Sequence, residues 1–506
     1  MQVANPSAPV SAGLAHPRRL VRVETAALAA LGLAKLAVHL ATDPLHGFHR
    51  DELYYLASGR HPALGYVDYP PLTPLLARAG LTLFGPSPAG LRLLTALAGA
   101  AMVVLAGLIA RELGGGRFAR LLAAGALLAS PTLLGANWLF QTVTFDQLAW
   151  TVALLLVARL ARTGEPRWWL AVGLALGVGL ETKYTVLALG AGLLAGVLAT
   201  PLRRQLLTPW PWLGALVALL VAAPNLAWQV ANGWPSLEFI VHHPQDQASD
   251  FSPPVFLAEQ LALVGPLAMP LWLAGWVRLL RRPEARPLGV TAAVAFLAFL
   301  LAGKSYYAGP LYPLLLAAGA VGLEVLTRRR AAWLRPAAVV AIALNGLLLL
   351  PLTLPLVPAS QLHRYGLDTV RKDFADTVGW PELADQVAAA YAALPPGERT
   401  HATIVAANYG EAGAIDVYGP SRGLPAALCP QLTYYTWKPA HVEDGTVLVV
   451  GFRRDVVERY FADVRPVGRI AMPDGVENEE VGRPILVARQ PRVPLDRAWP
   501  DLRRYE

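Results

Sequence analysis

Two short stretches near the start of the chain hold the residues best suited to chemistry: Phe48-His49-Arg50-Asp51-Glu52-Leu53-Tyr54-Tyr55 and Gly65-Tyr66-Val67-Asp68-Tyr69-Pro70-Pro71-Leu72. A carboxylate within hydrogen-bond reach of an attacking hydroxyl can take its proton, so Asp51 is a candidate general base. The competing role for Asp51 is a helix N-cap, accepting a backbone N–H from the turn that follows. If that turn is helical, Glu52 points elsewhere and would orient the site rather than share the proton. Asp68 is held extended by the prolines after it; it is either an exposed turn residue or, with His242 and His243, a candidate ligand for a divalent metal cation. Lys183 and Lys304 are two of only five lysines. A departing phosphate needs such charge, whereas a lysine at the end of an apolar run can also simply snorkel to the membrane interface. His242 and His243 are alternatively an exposed loop pair. The chain has no HExxH, no P-loop and no nucleophile elbow, and its single cysteine, Cys429, offers no intrachain disulfide.

The elements that must position these residues are membrane helices. Of 506 residues, 55% are apolar and 15% charged, against about a quarter charged in an ordinary soluble domain. That composition excludes a soluble enzyme and a disordered chain alike. A crossing needs about 20 apolar residues, and eleven such spans are predicted, near 20–41, 90–110, 118–134, 147–162, 168–182, 184–200, 211–228, 255–279, 288–303, 306–326 and 336–357. Cations accumulate on alternate loops, among them Arg111, Arg117, Arg120, Arg159, Arg162, Arg203, Arg204, Arg281, Arg282, Arg328 and Arg329, while the segment 225–254 has none. By the positive-inside rule the N-terminus is cytoplasmic. The net charge of +8 thus reports topology, not nucleic-acid binding.

The organisation that follows is a cytoplasmic tail over 1–19, a transmembrane unit over 20–357 with a long outer loop at 42–89, and an extracytoplasmic α/β domain over 358–506. Within the outer loop, 51–60 and 72–84 read as amphipathic helices lying on the membrane surface. In the C-terminal domain, helices are expected at Trp380–Leu394 and Arg454–Val464, alternating with strands at Thr403–Ala407, Thr446–Phe452 and Pro484–Ala488.

The two loop stretches, together with Thr142-Val143-Thr144-Phe145-Asp146-Gln147, Glu181-Thr182-Lys183-Tyr184-Thr185, Pro224-Asn225 with Trp228, Lys304-Ser305-Tyr306-Tyr307 and Asn408-Tyr409-Gly410-Glu411-Ala412-Gly413-Ala414, resemble glycosyltransferase family 39. That family comprises protein O-mannosyltransferases and aminoarabinose transferases. The resemblance implies a GT-C fold, a catalytic first outer loop and a polyprenyl-phosphate sugar donor. It assigns Asp51 as catalytic base, with Glu52 and Asp146 in support. Lys183, Tyr184, Lys304, Tyr306 and Tyr307 would bind the donor phosphate; Tyr54, Tyr55, Tyr69 and Arg78 would bind substrate. Where aminoarabinose transferases place a lysine and an arginine, this chain has Tyr69 and Tyr54.

The expected activity is inverting transfer of a sugar from a polyprenyl monophosphate to a glycan, lipid or protein acceptor outside a bacterial inner membrane. The alternative from another class is a lipid-linked-sugar flippase or transporter, which would spread polar residues through the membrane instead of clustering them at one face.

Overall fold

The computed structural model describes residues 17–247, 252–302, 304–442 and 445–505. Leu- and Ala-rich runs form the helices, and local signals end them. Ser87 caps Pro88–Glu112 by accepting the Gly90 N–H, with proline at the first helical position. Gly164, at φ 67°, closes Thr142–Thr163 in the left-handed region.

Among the described residues, six helices are long and apolar enough to cross a membrane: Glu24–Leu45, Pro88–Glu112, Thr142–Thr163, Pro209–Ala231, Ser305–Arg328 and Leu334–Thr353. Three broken pairs raise the number to nine if each is one span, bent by 55° between Arg117–Leu128 and Pro131–Asn137, 101° between Val186–Leu198 and Pro201–Leu207, and 111° between Pro253–Val264 and Met269–Arg281. The eleven expected spans also drew on Trp168–Leu180 and Arg286–Ala302, helices of 13 and 17 residues. At about 1.5 Å per residue the first falls well short of a roughly 30 Å hydrocarbon layer. Breaks at Ser130-Pro131 and Gly265-Pro266 interrupt the expected spans 118–134 and 255–279, which hydropathy alone reads as continuous, and Thr200-Pro201 falls where the expected span 184–200 ends.

Small residues let the helices approach closely. A Cβ added at Gly173 or Gly214 would strike the backbone of the facing helix, and the same holds for Gly275 and Gly319, which face Leu315 and Leu271. One end of the unit is laced by ion pairs: Arg120 to Glu24 at 2.7 Å, Arg162 to Glu112 at 2.5 Å and Arg328 to Glu324 at 3.2 Å. The opposite end carries the first long loop and the C-terminal domain.

Both expected loop helices form, as Arg50–Arg60 and Leu72–Phe84. The second exposes Leu75, Leu83 and Phe84, as a helix against lipid would. The first departs from the expectation of a surface helix, since Glu52 through Gly59 are buried where the C-terminal domain lies on it. Gly413 makes that docking possible: a Cβ there would sit 2.7 Å from Leu53 Cβ.

In the C-terminal domain a five-stranded sheet has the order β2-β1-β3-β5-β4, formed by Thr403–Ala406 (β1), Ala427–Leu428 (β2), Val447–Val450 (β3), Phe461–Arg469 (β4) and Pro484–Pro491 (β5). Strands β2, β1 and β3 run parallel, while β5 and β4 pair antiparallel. The expected helix at Trp380–Leu394 is present as Trp380–Ala392. The one expected at Arg454–Val464 is not: only Arg454–Val457 is helical, and Phe461 starts β4. Val464 pairs with Ala488 on the neighbouring strand, and tertiary pairing there overrides local propensity.

Candidate active site

The helix Arg50–Arg60 begins with a capping box whose N-cap is His49: its ring accepts the Asp51 N–H at 3.2 Å, and its own N–H donates to Glu52 at 2.8 Å. Asp51 is therefore released from the capping role that competed for it. Its carboxylate is 40% exposed; Oδ1 accepts the Tyr409 hydroxyl at 2.8 Å, and Oδ2 lies 3.9 Å from His49 Nδ1. His49 Nε2 in turn lies 3.9 Å from Asp376, whose pKa burial pushes up to about 6 against the pull of His49 and Arg50.

Glu52 does not face this opening. It is fully buried and takes a two-pronged ion pair from Arg92, Nε at 2.9 Å and Nη2 at 2.7 Å, plus the Phe140 N–H at 2.8 Å. Arg92 also donates to the carbonyls of Asp43, His46 and Gly47. The pair ties the start of the loop to the helix Pro88–Glu112 and to the loop that holds Phe140, so Glu52 positions the helix that carries Asp51.

Asp68 is not an exposed turn residue. It is partly buried and accepts the Tyr54 hydroxyl at 2.8 Å, and burial pushes its pKa to about 7 while the Tyr54 hydrogen bond opposes that rise. The Tyr54 oxygen also accepts the Thr433 N–H at 3.0 Å, so the C-terminal domain closes this corner. Tyr54 stacks on Tyr409 with ring centres 4.8 Å apart and stands edge-on to Tyr69 at 5.3 Å. Tyr69 bonds Ser58 at 2.6 Å and packs against Tyr55. Tyr54, Tyr55 and Tyr69 are all buried; they form an aromatic wall behind Asp51. Arg78 is exposed on Leu72–Phe84, with its charge near the Tyr66 phenol.

The second half of the site gathers five predicted residues from three elements. Lys183 lies over the Tyr307 ring at 4.7 Å and the Tyr306 ring at 5.9 Å, and Lys304 over Tyr307 at 5.9 Å. Asp146 is buried, has Lys183 as its neighbouring cation, and keeps Oδ1 without a protein partner. The Tyr306 phenol feels the Asp51 carboxylate, which joins the two halves. Tyr184 turns aside: its hydroxyl donates to Asn225 at 2.9 Å and receives the Gln229 amide at 3.3 Å. Gly65 packs on the Trp228 ring where a Cβ would collide, which explains that pair of motif residues.

An apolar groove of about 650 Å³ runs between the helices Leu72–Phe84, Pro88–Glu112, Thr142–Thr163 and Trp168–Leu180. Its walls include Leu76, Leu97, Leu148, Val152, Leu174 and Val178, and its lining reaches Phe145 and Thr182, the sequence neighbours of Asp146 and Lys183.

Among the described residues, no three His, Cys, Asp or Glu side chains come together as a metal site. Asp68 is committed to Tyr54, and the side chains of His242 and His243, in the helix Pro235–Gln247, lie outside the described residues. Sequence reasoning passed over His49, Arg92, Asp376 and Tyr409. Only Tyr409 carried a signal, since Asn408 and Glu411 have the spacing of a capping box.

Residues 68–228 match the family model described as dolichyl-phosphate-mannose-protein mannosyltransferase. No curated protein matches the sequence. The fold is similar to that of ArnT from Cupriavidus metallidurans bound to undecaprenyl phosphate, with a TM-score of 0.58 at 19% identity over 94% of this chain and 98% of that one. The apo structure of the same ArnT gives 0.57 at 20% identity over 93% and 98%. The chain has the GT-C fold with a small C-terminal sheet domain, and the resemblance read from its loop motifs is borne out.

Proposed function

We propose that this chain is an integral-membrane glycosyltransferase that moves a sugar from a polyprenyl monophosphate to an acceptor hydroxyl or amine on the outer side of a bacterial inner membrane. The observation that carries the reading is the apolar groove lying beside the cluster of Lys183, Lys304, Tyr306 and Tyr307. A hydrocarbon chain fits the groove, and a phosphate fits the cations. The ArnT structure that holds undecaprenyl phosphate supports the same class of lipid.

In this reaction Asp51 takes the acceptor proton as the acceptor oxygen or nitrogen attacks the anomeric carbon, and the bond from that carbon to the phosphate oxygen breaks on the opposite face. One displacement inverts the configuration. Negative charge grows on the departing phosphate, where Lys183 and Lys304 lower its energy more in the transition state than in the bound donor. Glu52 and Arg92 hold the loop helix, and Asp146 adds a nearby countercharge for Lys183.

The test supplies purified protein in bilayer discs with radiolabelled polyprenyl-phosphate sugars and candidate acceptors. Covalent transfer that disappears in Asp51→Asn is the expected result. Movement of intact donor between leaflets in reconstituted vesicles, with no covalent product, would replace this reading with that of a flippase.

A further inference from the structure

Tyr409 stands 358 residues from Asp51 in sequence, yet its hydroxyl donates to Asp51 Oδ1 at 2.8 Å. The contact is built rather than incidental. The Tyr409 ring is held between the stacked Tyr54 ring, 4.8 Å away at 24°, and the Arg50 guanidinium, 5.1 Å from the ring centre. Its backbone N–H donates to Gln431 at 3.1 Å, and the turn it opens is fixed by a capping box in which Asn408 accepts the Glu411 N–H at 2.9 Å and Glu411 accepts the Asn408 N–H at 3.1 Å. Gly410 allows the close approach, since a Cβ there would stand 2.9 Å from Trp380 and 3.2 Å from Arg50 Cβ. With Oδ1 so engaged, the other carboxylate oxygen of Asp51 is the one left for an acceptor.

From this geometry we infer that Tyr409 is a positioning residue: the C-terminal domain supplies the hydrogen-bond donor that orients the Asp51 carboxylate. Burial and the adjoining Asp51 charge hold the Tyr409 phenol well above the ordinary tyrosine range, so it stays a donor across the pH range in which such an enzyme works. The catalytic consequence rests on Asp51 being the base. The hydrogen bond itself does not, which allows the two claims to fail separately.

The test is carboxyl labelling of the full-length protein in bilayer discs, with a water-soluble carbodiimide and an amine at pH 6, read at Asp51 by peptide mass mapping. Carbodiimides attack the protonated carboxyl, and loss of one hydrogen bond to a carboxylate shifts its protonation by about one pH unit. Tyr409→Phe should therefore raise Asp51 labelling roughly tenfold, while the exposed Asp385 serves as the reference and does not change. Unchanged Asp51 labelling in that variant overturns the inference. If the phenylalanine variant does not fold, 3-fluorotyrosine at position 409 keeps the ring and strengthens the donor; Asp51 labelling should then fall by roughly twofold, and no change again overturns the inference. A structural role alone would leave labelling where it is. In transfer assays Tyr409→Phe should lower kcat about tenfold with the donor KM unaltered. If Asp51→Asn leaves transfer intact, the base assignment fails while the labelling result still stands.

Discussion

At the end of the membrane unit where Pro88–Glu112 and Thr142–Thr163 finish, each of three arginines has a carboxylate: Arg162 on Glu112, Arg120 on Glu24 and Arg328 on Glu324. At the end where those helices begin, Lys183 has tyrosine rings around it, and the acid nearest in charge, Asp146, lies beyond ion-pair distance. Both ends hold cations, but the three arginines of the first each meet a carboxylate, whereas Lys183 at the second lies against rings. A ring face steadies an ammonium group without cancelling its charge, so the first end serves the architecture and the second suits the phosphate-binding role proposed for it. The buried pair of Glu52 and Arg92 shows the architectural kind of pairing transplanted to the second end, where it anchors the loop.

The largest effect should come from that transplanted pair. Glu52→Gln leaves the buried Arg92 guanidinium short of its countercharge, and breaking such a pair typically costs about 3–5 kcal/mol; thermal unfolding in detergent should show a marked loss of stability before any assay of transfer. Next comes Asp51→Asn, which keeps the shape and removes the base. Transfer should fall about a hundredfold, the usual scale of lost base catalysis, with unfolding temperature nearly unchanged; normal turnover in the folded variant would sink the assignment. Lys183→Gln should lower efficiency towards the donor roughly tenfold to a hundredfold, the equivalent of a lost charge-assisted hydrogen bond of about 1.5–3 kcal/mol. A change in stability with an unaltered rate per folded molecule would instead mark Lys183 as an interface anchor. The smallest effect belongs to the other end. Arg162→Gln opens a half-exposed pair, worth about 1 kcal/mol or less, and should leave transfer untouched; an effect on donor use as large as that of Lys183→Gln would erase the contrast between the two ends.

Most of the architecture was legible in the sequence because apolar run length and loop charge are one-dimensional signals. The loop helices and the sheet domain followed from the pattern of the residues, while the grouping of Lys183, Lys304, Tyr306, Tyr307 and Asp146 followed from the motif resemblance. What escaped was what folding alone brings together. Hydropathy does not register the 111° bend at Gly265-Pro266, although that dipeptide is a local turn signal. Glu52 finds Arg92 40 residues further on, and nothing local marks a surface-looking glutamate as a buried one. The stretch Arg454–Val464 has apolar spacing that suits either a helix or an edge strand, and only pairing with β5 decides it. Asp51 looked like an N-cap until His49 was seen to occupy that place.

The groove that leads to the cations is walled partly by side chains that also face outward: Leu97, Leu174 and Val178 are 47%, 51% and 38% exposed. A ligand with a long hydrocarbon tail can therefore arrive sideways, sliding in from the surrounding leaflet without its tail ever meeting water. For the proposed reaction, the quantity that sets occupancy is then the mole fraction of donor among the lipids around the protein, a two-dimensional density. Diluting the sample with buffer would leave the rate per protein the same, whereas adding inert lipid at fixed total donor would slow it.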